Sequence, residues 1–238
     1  MATLYTYSRG GTQIASVSDA SIEQGGLDYM GGDYIMHNNN SAIVQFQLYN
    51  GGKSILSQEV LRYRAGIDGR GIACSHQFLG DTDSGGDFFN HSNILVTFID
   101  ASITIDISLY NWSRGKILAM HSYGTVNVNS SVGGACFDGL YYYIVRASSG
   151  IPFSKVVRKY MVVGKTISLI VGYNMNSLTT GTIKDIAWDS TDGTFWLVDG
   201  TTIRRFDATF SKELASWAGP AGAWGITCND QYLFIQGT

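Results

Sequence analysis

Five polar residues are the first candidates for chemistry in this sequence. In each of five repeated units the second apolar run ends in a polar residue, and these residues are His37, Asp100, Arg146, Asp199 and Gln236. Units repeated around an axis place equivalent positions in a circle, so we expect the five side chains to line one mouth of a central channel. Together they would bind a polar ligand by convergent hydrogen bonds. In the alternative interpretation each residue only ends its strand, as the turn pair Asp199-Gly200 illustrates.

Catalytic machinery is weakly indicated, and no catalytic residue is predicted. A glycosidase would need a general acid and a second carboxylate at a fixed separation. The sequence has only three Glu, at 23, 59 and 213, all in predicted loops or outer strands. Asp100 and Asp199 could form such a pair, but the ring alone would also bring them close. No nucleophile elbow, zinc-binding His-Glu-x-x-His or phosphate loop occurs.

An insertion near residues 78–93 carries a group of acidic residues. Asp81, Asp83 and Asp87 surround the pair Gly85-Gly86, and alternating oxygen ligands around a glycine bend can hold Ca²⁺. The spacing resembles an EF-hand loop only loosely, because the closing Glu is missing. A flexible acidic loop, or a partner contact anchored by Phe88-Phe89, are the other interpretations.

Composition excludes several classes of function. Charged residues make up 15% of the 238 residues and the net charge is −3, which gives no basic footprint for nucleic acid. The most apolar window, residues 94–110, contains Asp100 and Asp106, so no membrane-inserted helix is predicted. A β-rich chain of this length is consistent with one domain.

The three cysteines occupy the same place in three repeats. Cys74, Cys136 and Cys228 would lie at least a repeat's width apart, which is beyond the reach of a disulfide. We therefore expect buried free thiols that pack as small apolar residues.

A four-residue signature defines the elements that position these residues. It consists of a small or acidic residue, an apolar one, a small or polar one and a large apolar residue or Cys, and it begins at Gly26, Gly71, Gly133, Asp185 and Gly225. The spacings are 45, 62, 52 and 40 residues, and passing from the last signature through both termini to the first adds 39. Such a period predicts a repeat array, and the closing count favours a ring.

Each signature opens a unit of four predicted strands. In the fourth unit these are residues 183–189, 194–198, 202–206 and 212–217, separated by turns such as Asp192-Gly193. The fifth unit is split between the ends of the chain, and pairing its halves would leave no open sheet edge at either terminus. The predicted units are 24–60, 69–123, 133–176, 182–218, and 224–238 together with 2–20.

With these units the chain resembles an all-β, five-bladed β-propeller of four-stranded antiparallel blades. Its fourth unit, from Asp185-Ile186-Ala187-Trp188 to Ile203-Arg204-Arg205-Phe206, is similar to a blade of the NHL class. The blade number and length resemble those of tachylectin, without its repeat motifs. The architectural resemblance spans the whole chain, and the NHL-like motif is confined to one unit. Such a resemblance implies a fold and leaves the function open.

The favoured function is a non-catalytic recognition or assembly module that binds a glycan or a protein. A surface rich in Asn, Ser, Thr and Tyr favours an adhesin of a virion or cell surface, and sugar stacking is predicted for Trp112, Trp217, Trp224, Tyr63 and Tyr123. One alternative is a glycosidase, or an NHL-like lyase or hydrolase, at the channel mouth. Another is a structural subunit that forms a homo-oligomer through its outer strands or the 78–93 loop.

Overall fold

The computed structural model describes most of the chain, with gaps in several loops. The described residues are 2–19, 26–31, 34–38, 44–50, 53–60, 67–74, 92–100, 104–113, 116–127, 131–147, 155–163 and 166–238. Side chains are described for residues 3–18, 26–28, 134–145, 155–162 and 167–238. Four sites carrying earlier predictions, Asp81, Asp83, Asp87 and Tyr63, lie outside the described residues.

Four of the sheets are built from consecutive antiparallel strands within the described residues. Sheet 1 contains β3 (Leu27–Gly31), β4 (Tyr34–Asn38), β5 (Val44–Asn50) and β6 (Lys53–Val60). Sheet 2 contains β7 (Ile67–Cys74), β8 (Ser92–Asp100), β9 (Thr104–Ser113) and β10 (Lys116–Asn127). Sheet 3 contains β11 (Ser131–Phe137), β12 (Tyr142–Ala147), β13 (Lys155–Val163) and β14 (Thr166–Asn174). Sheet 4 contains β15 (Ile183–Asp189), β16 (Thr194–Asp199), β17 (Thr202–Phe206) and β18 (Glu213–Ala218).

Sheet 5 combines the two ends of the chain. Its order is β19 (Ile226–Cys228), β20 (Tyr232–Gly237), β1 (Ala2–Ser8) and β2 (Gln13–Asp19). β1 and β20 pair antiparallel over their lengths, from Thr3 opposite Gly237 to Ser8 opposite Tyr232. The N-terminal strands therefore complete a sheet that the C-terminal strands begin.

The first strand of each sheet contacts the first strands of two other sheets. The contacts join β3 to β7, β7 to β11, β11 to β15, β15 to β19, and β19 to β3. The signature residues of the sequence lie on these first strands, so the small residues of the signature allow them to approach closely.

β16 shows how alternation along a strand builds the core between sheets. All six of its residues are buried. Phe195 and Leu197 belong to an apolar cluster with residues of sheet 3, whereas Trp196 and Val198 belong to a cluster with residues of sheet 5. Because successive side chains of a strand point to opposite faces, one strand supplies both clusters.

A buried ion pair joins sheets 4 and 5. Arg9 follows β1, and its Nη1 lies 2.7 Å from an Oδ2 of Asp189, whose side chain is 1% exposed. Its Nη2 donates to the carbonyl of Asn229 at 2.8 Å and to Thr191 Oγ1 at 3.0 Å. The Arg9 guanidinium, which follows the N-terminal strand β1 of sheet 5, thus contacts both the C-terminal part of that sheet and sheet 4.

Candidate functional site

The predicted polar residues lie at or next to the ends of second strands. β16 ends at Asp199 and β8 ends at Asp100, while His37, Arg146 and Gln236 are the last but one residues of β4, β12 and β20. The side chains of His37, Asp100 and Arg146 lie outside the described part of the chain. The mutual arrangement of the five therefore stays a prediction, and two of them can be described in detail.

Asp199 is buried, and its carboxylate is held by protein donors. It accepts hydrogen bonds from the backbone N–H of Thr180 at 2.8 Å, from that of Gly181 at 2.7 Å and from Arg204 Nε at 2.8 Å. Gly181 is required here, because a Cβ would lie 2.9 Å from Asp199 Oδ1 and from the Gly200 nitrogen. The carboxylate thus fixes the segment before β15 against the β16–β17 turn.

Lys184 and Trp224 lie beside these strand ends. Lys184 is a bulged residue between Ile183, which pairs with Asp199, and Asp185. Its Nζ donates to the carbonyl of Ala223 at 2.8 Å and lies 5.2 Å from the centre of a Trp224 ring. Burial lowers the pKa of the Lys184 amine.

Trp224 is also hydrogen-bonded to Gln236, another of the five predicted site residues. Its backbone N–H donates to the carbonyl of Gln236 at 2.8 Å, and the Gln236 side chain is fully buried. Trp224 and Lys184 are half-buried, so both keep some surface open to solvent. We call Lys184, Asp199, Trp224 and Gln236 the strand-end face.

A second group of polar residues lies where first strands meet. Asp185 of β15 is fully buried and accepts the backbone N–H groups of Ile226 at 2.8 Å, Ile186 at 2.9 Å and Leu27 at 3.4 Å. Asp28 of β3 is 5% exposed and accepts a hydrogen bond from Thr227 Oγ1 at 3.3 Å. We call Asp28, Asp185 and Thr227 the first-strand cluster, and it links sheets 1, 4 and 5.

Burial is the main influence on the protonation of Asp185 in this cluster. Burial raises the pKa of Asp185 well above its ordinary value, and the charge of Asp28 adds to the effect. The three backbone N–H groups act in the opposite direction, because they stabilise the carboxylate. Burial, followed by the charges of Asp28 and Asp185, also raises the pKa of the nearby Cys136 thiol.

The first-strand cluster is sealed from solvent and cannot bind a diffusing substrate. With 0% exposure at Asp185 and 5% at Asp28, neither carboxylate is accessible to a ligand. What the cluster does chemically is to satisfy backbone donors from three sheets that would otherwise lack an acceptor. It acts as a joint between sheets.

The cluster residues were missed among the predicted site residues, although the repeat carried a signal for them. Asp185 stands at a signature position that is Gly in the other four units, and Asp28 stands where the others have Ala73, Ala135, Ala187 and Thr227. Each acid is thus a departure from the repeat. Both departures fall on first strands, where close packing makes a buried charge costly.

The structure describes the side chains of two of the three cysteines and of two of the aromatic residues that the sequence analysis singled out. Cys136 and Cys228 are free and buried, as predicted, while the Cys74 side chain lies outside the described part. Over the residues that the structure describes, no group of three His, Cys, Asp or Glu could hold a metal ion. The same residues include no helix long and apolar enough to cross a membrane. Of the aromatic candidates for stacking, Trp217 and Trp224 have described side chains, and both are half-buried.

Comparison with solved structures defines the class of fold. A nidogen/laminin complex matches with a TM-score of 0.55 and 13% identity, covering 99% of this chain and 85% of that chain. Glutaminyl cyclase from Myxococcus xanthus matches with a TM-score of 0.53 and 11% identity, covering 90% and 89%. The β-propeller domain of Myceliophteria thermophila Cps50 (Swd1) gives 0.46 and 11%, covering 89% and 61%.

These similar structures are β-propeller proteins, and the chain has a β-propeller fold of antiparallel four-stranded sheets. At such identities the likeness extends to the fold alone. One neighbour belongs to a complex between proteins and another is an enzyme, so the fold does not choose between binding and catalysis. No protein-family model and no curated protein sequence matches this chain.

Proposed function

We propose that this chain is a five-bladed β-propeller that works as a non-catalytic recognition module, with its ligand site at the strand-end face. There the partly exposed Lys184 and Trp224 would contact the ligand, and the buried Asp199 and Gln236 would hold the strand ends behind them. The blade number is supported by the five four-stranded sheets among the described residues. The order of contacts between first strands, which returns from β19 to β3, supports a closed ring. The shared sheet of the two chain ends supports closure by strand pairing.

The observation that carries the binding function is the Lys184–Trp224 pair. An indole ring and an amine lie side by side next to two predicted site residues, and both remain partly open to solvent. Aromatic rings stack on sugars and apolar side chains, and an amine donates hydrogen bonds to hydroxyl or carboxylate groups. The pair therefore offers the contacts that a glycan or protein ligand would use.

The carboxylates near this face support binding over hydrolysis. Hydrolysis of a glycoside would use an acid and a second carboxylate, both open to substrate. Asp199 is 2% exposed and its oxygens accept hydrogen bonds from four protein donors, while Asp28 and Asp185 are sealed between sheets. None of these three is free to act on a bound ligand.

His37, Asp100 and Arg146 extend the proposed site around the channel mouth. They come from the second strands of sheets 1, 2 and 3, in positions equivalent to Asp199 and Gln236. A mixed set of charges and hydrogen-bonding groups would select a polar ligand. Ca²⁺ binding by Asp81, Asp83 and Asp87 stays a separate prediction.

The test is a ligand screen of purified wild-type chain against a glycan array, with and without Ca²⁺, and against a peptide library. The site variants are Trp224→Ala and His37→Ala/Arg146→Ala. The matched control is Lys212→Ala, because Lys212 is an exposed residue of the β17–β18 turn, at the opposite end of sheet 4. Thermal unfolding by circular dichroism would check that each variant keeps its fold.

We expect a ligand of the wild type to lose at least tenfold in affinity for both site variants and none for the control. Ligands that bind all four proteins equally would place the site elsewhere and reject this proposal. Turnover of any captured glycan or peptide by the wild type would reject the non-catalytic function.

A further inference from the structure

The outermost strand of sheet 3 has an exposed apolar edge. β14 is paired on one side only, with β13, so its other side presents free backbone donors and acceptors within the described residues. Three consecutive apolar residues, Leu169, Ile170 and Val171, are 52%, 47% and 38% exposed. Such an edge can accept an added strand from another chain.

Charge distinguishes this edge from the other four. The other outermost strands each carry at least one charged residue or His: β2 has Asp19, β6 has Lys53 and Glu59, β10 has Lys116 and His121, and β18 has Glu213. β14, with the sequence TISLIVGYN, has none. Charged residues on an edge oppose strand addition, so β14 lacks a protection that the other edges share.

Bulges do not explain the difference. A β-bulge can also protect an edge, because it twists the strand away from a partner. Each of the five outermost strands has a register shift against its neighbour, so all five edges have a bulge like the one near Ile170. The missing charge is particular to β14.

The surroundings of β14 are basic. Residues 139–184 contain six of the 16 Lys and Arg of the chain and none of its 19 Asp and Glu, although the whole chain has a net charge of −3. β13, the strand paired with β14, carries Lys155, Arg158 and Lys159. Lys159 Nζ lies over the Tyr141 ring at 3.8 Å, and neither Lys159 nor Arg158 has an ion-pair partner among the described residues.

We propose that the β14 edge binds an extended acidic segment of a partner protein, which adds to sheet 3 as a further strand. Backbone hydrogen bonds to β14 would supply affinity. Because successive residues of a strand point to opposite faces, the apolar side chains of the segment would lie on the face of Val171 and Lys159, and its carboxylates on the face of Gly172 and Arg158. A second copy of this chain is the less suitable occupant, because two edges beside the same basic strands would repel each other. This site is separate from the strand-end face and does not rest on it.

The test is a display selection of random nonapeptides on the immobilised full chain, followed by fluorescence polarisation of the enriched peptides in solution. The site variants are Ile170→Glu, which gives β14 an acidic residue of the kind that β2, β6 and β18 carry, and Arg158→Glu. The matched control is Ile14→Glu, because Ile14 is a 54% exposed apolar residue on the outermost strand of sheet 5.

We expect enriched peptides in which apolar residues alternate with Asp or Glu, and whose affinity falls steeply with added salt. Ile170→Glu and Arg158→Glu should each weaken binding at least tenfold, while Ile14→Glu and Trp224→Ala leave it unchanged. No enrichment, enrichment without an acidic bias, or equal binding to Ile170→Glu would overturn the proposal. Self-association in sedimentation that disappears in Ile170→Glu would also overturn it, because the occupant would then be a second copy.

Discussion

The Asp185 side chain of β15 occupies the space that a side chain at Gly134 of β11 would need. A Cβ on Gly134 would lie 1.3 Å from Asp185 Oδ1 and 2.2 Å from its Cγ. The carboxylate cannot move aside freely, because it accepts N–H groups from Leu27, Ile186 and Ile226. Gly134, which has no side chain, therefore makes room for the buried carboxyl group of Asp185.

From this geometry we expect Gly134→Ala to lower the free energy of unfolding by about 3 kcal/mol or more, as overpacking of a rigid site does. Chemical denaturation monitored by circular dichroism would measure the loss. Gly10→Ala is the control, because its Cβ would meet nothing closer than Ser8 Oγ at 3.9 Å, and a change within about 0.5 kcal/mol is expected there.

A double variant tests whether the two residues act as a pair. Gly134→Ala/Asp185→Gly places at position 185 the residue that the other four units carry, and it removes the two closest contacts of the new Cβ. The double variant should lose less stability than the sum of its single variants, with a coupling of about 1–3 kcal/mol. If the losses in the free energy of unfolding were additive, the glycine at position 134 would be required by the backbone conformation there and not by the Asp185 side chain.

The sequence marks residue 185 as unusual, but it could not predict that the Asp185 side chain lies against Gly134. The repeat identifies residue 185 as exceptional, since four of five equivalents are Gly. The carboxylate's donors, at residues 27, 186 and 226, come from three sheets, and their meeting depends on how the sheets stack. Asp199 is the opposite case, because strand alternation and the following Gly200 placed it correctly at the end of β16.

At the scale of elements, the β1–β2 turn anchors the N-terminal strands through Arg9. Its guanidinium binds the buried carboxylate of Asp189, which also accepts the Trp196 indole N–H at 3.2 Å. Trp196 is itself fully buried between sheets 4 and 5. The ion pair thus forms the polar end of an otherwise apolar contact between sheets.

Removing Arg9 should therefore cost more than removing Arg205, because the two arginines are similarly exposed while their carboxylate partners are not. We expect Arg9→Ala to lower the free energy of unfolding by about 3 kcal/mol, because Asp189 stays buried without its cation. Arg205 pairs with Asp192, whose side chain is 38% exposed, so Arg205→Ala should cost about 1 kcal/mol. Urea titration of both variants would measure the difference. Equal losses would show that burial of Asp189 adds nothing to the strength of its pair.

Elements were easier to predict than contacts between them. The predicted strands at 183–189 and 202–206 agree with β15 and β17 to the residue, because alternation and Asp-Gly turns act locally. The fifth unit is predicted to begin at residue 224, whereas its first strand in the structure, β19, spans only Ile226–Cys228. The backbone N–H of Trp224 donates to the carbonyl of Gln236, and Trp224 lies in the segment before the strand, beside Lys184 of sheet 4.

For the whole molecule, the pairing of β1 with β20 inside sheet 5 is the feature with the widest consequence. In the proposed ring, a cut between two sheets would leave them held only by side-chain packing. A cut within a sheet would be spanned by a ladder of hydrogen bonds, such as the one between β1 and β20. Gly237 lies opposite Thr3, so the two ends could be joined by a short hairpin loop.

Two circular permutants, in which Thr238 is linked to Met1, would compare a cut between two sheets with a cut within a sheet. One is opened in the loop 219–222, so that its new ends lie between sheets 4 and 5. The other is opened at Gly200-Thr201, so that sheet 4 is split into two strands and two strands, as sheet 5 is in the natural chain. Hydrogen exchange of β15 and β19, read by mass spectrometry, reports how often the joint at Asp185 opens.

We expect exchange in β15 and β19 to be at least tenfold faster in the permutant opened at 219–222, because sheets 4 and 5 can then part without breaking a strand ladder. The permutant opened at Gly200-Thr201 should keep β19 as protected as in the natural chain, since a ladder again spans its cut. Equal protection in both permutants would mean that apolar packing around Trp196, with Arg9 and Asp185, is sufficient to hold the sheets together. In that case closure of the proposed ring would not depend on the ladder between β1 and β20.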